Sequence, residues 1–178
     1  MKNIALSLIL LSLMTLGIIA HAEDTRPVLV PVIAKLYNAD CQACLDAMAT
    51  ELAKQAGVTE LKATMDPPQV AATLDEAQFT ASEFINKIIA LEKYDARLLL
   101  YVDAAMCKGA AKMCTGCFTE IPARLKAITG VNDVTLDDTG RRVKVTFDAD
   151  TKIKTTDLAA ALAKSDYGFT VSFAEPKE

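Results

Sequence analysis

Residues 114–131 read CTGCFTEIPARLKAITGV, and residues 41–58 read CQACLDAMATELAKQAGV. Both segments open on two cysteines three positions apart and end on Gly-Val, and they lie 73 positions apart. The register needs no gap from Cys41 to Leu100 and gives 10 identities in 60 positions. Chance alone would give roughly 4, so the apolar periodicity must decide. After Cys44 it places Leu45, Met48, Ala49, Leu52 and Ala56 on one helical stripe, and after Cys117 it places Phe118, Ile121, Leu125 and Ile128 on another. Gly57 and Gly130 stand where a helix C-terminus favours glycine.

The same shift pairs the elements that follow. Val143, Val145 and Phe147 alternate with Arg142, Lys144 and Thr146, the pattern of a half-buried strand. Asp138-Thr139-Gly140 forms the turn before it, and Pro67-Pro68 takes that place in the first copy. Thr80 and Glu83 make a capping box ahead of Phe84, Ile85, Ile88 and Ile89, while Thr156 precedes Leu158, Ala161 and Leu162. Strands close the copies at Leu98 to Val102 and Thr170 to Phe173, and Val32 to Tyr37 opens the first. The order strand-helix-strand-strand-helix-strand predicts an α+β fold. It gives two tandem ferredoxin-like βαββαβ domains, each an antiparallel sheet with two helices on one face. The boundaries fall at 1–22, 23–28, 29–103 and 104–178. Arg97 to Asp103 is open to two readings: the last strand of copy 1, or the first of copy 2. Either copy 2 has a degraded opening strand, or a long loop bearing Cys107 has been inserted before Cys114.

Residues 1–22 stand apart from the fold. Lys2, the apolar run Ile4 to Ile19 and Ala20-His21-Ala22 read as a secretory signal peptide cleaved after Ala22, with a membrane anchor as the alternative. Cleavage predicts a periplasmic chain of 156 residues, joined to the first copy by a short linker over 23–28. It also removes His21, the one histidine, and with it His-dependent catalysis and every His-containing metal site. Hydrophobic residues make up 52% of the sequence, enough to exclude disorder, and the net charge of −4 argues against nucleic-acid binding. No further apolar run is long enough to insert the mature chain in a membrane.

The chemistry then rests on Cys41, Cys44, Cys107, Cys114 and Cys117. A cysteine pair at a helix start favours thiolates, and two such thiolates converge on a soft ion, Cu(I) or Hg(II). Zinc would want two further ligands. From Cys114-Thr-Gly-Cys117 through Gly130-Val131, Val143 to Phe147 and Tyr167-Gly168, the chain resembles the heavy-metal-associated domain family: copper chaperones, the amino-terminal modules of metal-pumping P-type ATPases, and periplasmic mercury-binding proteins. The resemblance implies Cys41, Cys44, Cys114 and Cys117 as ligands, up to one ion per pair, with Tyr94 and Tyr167 beside them. It implies a metal carrier or buffer rather than an enzyme, and a metal transporter or another metal-binding protein as partner.

The family's Met two places before the motif is replaced by Ala39 and Lys112. Asp40 sits next to Cys41, where its charge disfavours a thiolate. Pro122 is compatible with the second motif helix if that helix starts near Thr119. Met106, Cys107 and Met113 are possible additional ligands, because the small Gly109-Ala110-Ala111 lets the loop fold back over Cys114 and Cys117. The alternatives are a thiol–disulfide oxidoreductase, a disulfide from Cys107 to Cys114 or Cys117 or between chains, and a metal-free interaction module.

Overall fold

A computed structural model describes residues 27–91 and 94–176; the expected signal peptide, its expected cleavage site and most of the expected 23–28 linker lie outside the described residues. The alternating segments form strands. In β6 (Arg142–Phe147), Val143, Val145 and Phe147 point into the core. In β4 (Asp95–Ala104), Ala96, Leu98, Leu100, Val102 and Ala104 do the same, and Leu99 is buried on the opposite face. The other strands are β1 (Leu29–Tyr37), β2 (Val58–Met65), β3 (Pro68–Asp75), β5 (Val131–Leu136) and β7 (Phe169–Ser172). The helices are α1 (Gln42–Leu52), α2 (Ala81–Ile89), α3 (Thr115–Lys126) and α4 (Thr155–Ala163).

Among the described residues seven strands form one antiparallel sheet in the order β2-β3-β1-β4-β6-β5, with β7 also paired to β4. This corrects the expectation of two separate sheets. β4 pairs with β1 from Leu99↔Ile33 to Asp95↔Tyr37, with β6 from Leu98↔Val145 to Tyr101↔Arg142, and with β7 from Tyr101↔Ser172 to Ala104↔Phe169. Its one backbone closes the first βαββαβ pattern and opens the second, so Arg97 to Asp103 serves both readings. A boundary between 103 and 104 falls inside it. The physical reason is that a strand has two edges, and a buried strand can have partners on each.

The 73-residue register survives in the backbone. Gly57 and Gly130 both take positive φ, at 84° and 94°, where the chain leaves α1 and α3. From there the Gly57 carbonyl accepts Asp75 N–H at 2.7 Å and the Gly130 carbonyl accepts Asp148 N–H at 2.8 Å. The Thr80–Glu83 capping box forms, and α2 buries Phe84, Ile85 and Ile88 completely, about 1.5–3 kcal/mol for each side chain. Pro122 lies inside α3 rather than at its start, because the helix begins at Thr115. Ile121 and Leu125, both fully buried, hold that helix on the sheet past the hydrogen bond that proline cannot make.

The halves are also tied where the first turn of each of α2 and α4 meets the segment leading into the other. Ser82 Oγ donates to the Thr151 carbonyl at 2.7 Å and accepts Ile153 N–H at 2.8 Å. The Glu76 carboxylate, 1% exposed, accepts the Thr155 N–H and the Thr155 hydroxyl, each at 2.7 Å. A carboxylate at the first turn of α4 satisfies an orphan donor and the helix dipole together.

Candidate metal centre

The second cysteine pair sits where α3 starts. Cys114 is the N-cap, Cys117 lies in the first turn, and their sulfurs are 3.2 Å apart. Between β4 and Cys114 the chain makes a 3-10 turn, Ala105–Cys107, then an irregular loop through Met113. That loop is pinned at both ends: Ala105 N–H donates to the Gly168 carbonyl at 3.2 Å and Met113 N–H to the Thr139 carbonyl at 2.9 Å. In the middle Arg141 donates to the carbonyls of Cys107 and Ala110, at 3.3 and 2.9 Å, while pairing with Asp103. The result is that Cys107 turns inward. Its sulfur is 3.7 Å from that of Cys117 and accepts Cys114 N–H at 3.3 Å. All three sulfurs lie within 4.8 Å of one another, and none is in a disulfide.

Burial divides their acidity. Cys117 is fully buried, and that desolvation, with the hydrogen bonds to Cys114 and Cys107, pushes its thiol up to about 12. Cys114 is exposed, and hydrogen bonds from the Cys117 thiol and backbone N–H hold it below the ordinary thiol value. Of these two, Cys114 is the more acidic thiol, and it faces solvent.

Tyr167 lies against the motif glycine, Gly116. A Cβ added to Gly116 would stand 2.1 Å from its hydroxyl, so the motif glycine is what lets the ring lie there. The ring stacks on Phe169 at 5.7 Å between centroids. Met113 is buried against Gly140, whereas Met106 is 63% exposed. The loop therefore places Cys107 beside the pair and turns Met106 to solvent. Arg141 and Thr139, which hold the loop, were not singled out from the sequence. The only signal was their place in and after the Asp138-Thr139-Gly140 turn.

The first pair has the same place on α1 and a different state. Cys41 is the N-cap, its sulfur accepts Cys44 N–H at 3.1 Å, and the two cysteines form a disulfide. Joined in this way, Cys41 and Cys44 offer two thiolate ligands only after a two-electron reduction. Asp40 stands within 4.8 Å of both sulfurs. Tyr94, the counterpart of Tyr167, is buried, and its hydroxyl has no partner among the described residues. Burial, with the charge of Asp40, pushes its phenol up.

The heavy-metal-associated domain model matches residues 110–169. That match takes in the Cys114–Cys117 pair, α3, β5, β6, α4, Tyr167 and the start of β7; it does not extend over the first half. Heavy-metal-associated domains are metal-binding modules, and the donors here, thiols without imidazole, fit a soft ion. No curated protein matches the chain. Among solved structures, the water-soluble region of the P-type ATPase CopA from Bacillus subtilis is 19% identical, with 83% of this chain and 93% of that chain covered and a TM-score of 0.41. The putative copper-ion-binding protein from Bacillus anthracis is 18% identical over 40% of this chain and 99% of its own, with a TM-score of 0.37. The N-terminal extension of CzcP from Cupriavidus metallidurans is 18% identical over 69% of this chain and 83% of its own, with a TM-score of 0.28. Among the described residues no helix is long and apolar enough to cross a membrane.

Proposed function

We propose that the protein is an exported, periplasmic carrier or buffer for a soft cation, Cu(I) or Hg(II), and not an enzyme. The observation that carries the reading is the free Cys114–Cys117 pair at the start of α3, inside the segment that the heavy-metal-associated model matches. In use, the thiols lose their protons as the ion binds, and a partner's thiol or thioether then attacks the ion and takes it. A metal transporter or another metal-binding protein supplies that group. The basic start, the apolar run and Ala20-His21-Ala22 over residues 1–22 support export. Cys41 and Cys44 become a second, weaker site when reduced, with Asp40 raising the cost of a second negative charge there. Competition titration of the reduced chain with Cu(I), Hg(II) and Zn(II) tests this. Soft ions must win by a wide margin, and preferential zinc binding would refute it.

One observation favours a second reading. The Cys41–Cys44 disulfide at a helix N-terminus is the arrangement of a thiol–disulfide exchanger. Insulin reduction that is lost in Cys41→Ser, alongside unchanged metal binding, would establish that reading for the first half.

A further inference from the structure

We propose that Cys107 is the third ligand of the Cys114–Cys117 site, so that one soft cation lies among three sulfurs. The inference rests on the metal-binding reading above and adds a residue outside the two-cysteine motif. Its basis is a loop present in one half only. Three residues separate Tyr37 from Cys41, whereas nine separate Ala104 from Cys114. Those nine are held by Gly168, Thr139 and Arg141, and they carry Cys107 to a place 6% exposed against Cys117. A loop inserted for surface reasons would have no cause to bury a thiol beside two others.

The distances suit three-fold coordination. With metal–sulfur bonds of about 2.3 Å, a linear pair needs its sulfurs about 4.6 Å apart, and a trigonal set needs about 4.0 Å. Cys114 and Cys117 stand at 3.2 Å and Cys107 and Cys117 at 3.7 Å. Opening to the trigonal spacing moves the motif pair by about 0.8 Å and the Cys107 contact by about 0.3 Å, against about 1.4 Å for the linear pair. Cys107 is then already within reach of the ion. Binding breaks three S–H bonds, forms three metal–sulfur bonds and sends three protons to solvent; no electron is transferred.

The test uses the full chain with Cys41→Ser and Cys44→Ser, reduced and loaded with less than one equivalent of Cu(I), read by copper X-ray absorption. Three sulfur neighbours are expected. Adding Cys107→Ser should leave two and weaken Cu(I) binding at least about tenfold, the lower end of what outer-shell changes cost. Two sulfurs before that change, or three after it, overturns the proposal while leaving two-thiolate binding intact. No Cu(I) bound by either variant would sink the metal reading itself, and the proposal with it. Should Cys107→Ser lose its circular dichroism, the sulfur count before the change and in Cys107→Ala still decides.

Discussion

Replacing Glu76 with Ala tests whether the halves are one folded body. Glu76 comes from the turn after β3, and Thr155 begins α4, 79 positions later. The carboxylate takes two hydrogen bonds at 2.7 Å while 1% exposed. Each bond to a charged group contributes about 1.5–3 kcal/mol. Removal also leaves the Thr155 N–H and hydroxyl unsatisfied at the dipole end of α4. The expected loss is about 3–5 kcal/mol, a large part of the 5–15 kcal/mol typical of a domain. Urea unfolding followed by circular dichroism measures it. The change is a truncation, so part of the loss would be packing. Thr155→Val removes only the hydroxyl's bond, and combining the two substitutions isolates the pair. A coupling of about 1 kcal/mol or more is expected, because sites that do not interact add to within about 0.5 kcal/mol. Additivity within that limit, or a Glu76→Ala loss below about 1 kcal/mol, would refute the clamp.

Gly116→Ala should cost about 1–3 kcal/mol by driving Tyr167 off the motif, and Tyr167→Ala should remove most of that cost; a neutral Gly116→Ala in thermal unfolding would contradict the packing described. Without reductant the chain should take one Hg(II), at the second-half thiols, and with reductant two; Cys41→Ser with Cys44→Ser should take one in both conditions, and two without reductant from the unaltered chain would contradict the disulfide. At pH 8, iodoacetamide should modify Cys114 well before Cys107 or Cys117, as read by mass mapping, and equal rates would count against the burial assigned to them. Because the folded chain keeps Cys117 protonated up to about 12, its contribution to stability is whole below the unfolded thiol value and falls away as pH rises through 12. In Cys117→Ala that alkaline fall in urea midpoint should be smaller.

The sequence made the elements legible because periodicity reports faces. Val143, Val145 and Phe147, or Phe84, Ile85 and Ile88, announce which side is buried, and the structure buries those residues. Periodicity does not report edges. Nothing in Arg97 to Asp103 says whether it has one neighbour or two, and β4 proves to have β1 and β7 as well as β6. Pro122 misled for a related reason. Local preference puts proline in a first turn, but packing of Ile121 and Leu125 outweighs the lost bond. At the site, spacing found the two pairs and composition marked Cys107. The clasp that holds Cys107 inward comes from Arg141, 34 positions away, and no local pattern encodes that contact.

The two cysteine pairs share a helix position and differ in what surrounds them, and that difference bears on their oxidation. In the first half Cys41 is the one thiol clustered with Cys44 among the described residues, so oxidation within the chain joins that pair. Ala43 stands where Gly116 stands in the second half, and no tyrosine hydroxyl can lie over it as Tyr167 lies over Gly116. In the second half Cys117 has two thiols within 3.7 Å, so oxidation of any pair strands a third thiol that can attack the new bond. A disulfide there is exposed to internal exchange, whereas the one in the first half is not. A cation held by all three sulfurs removes attacker and target together. Loading should therefore protect the second half from oxidation more completely than it protects the first, where displacing the ion frees both partners of one stable bond.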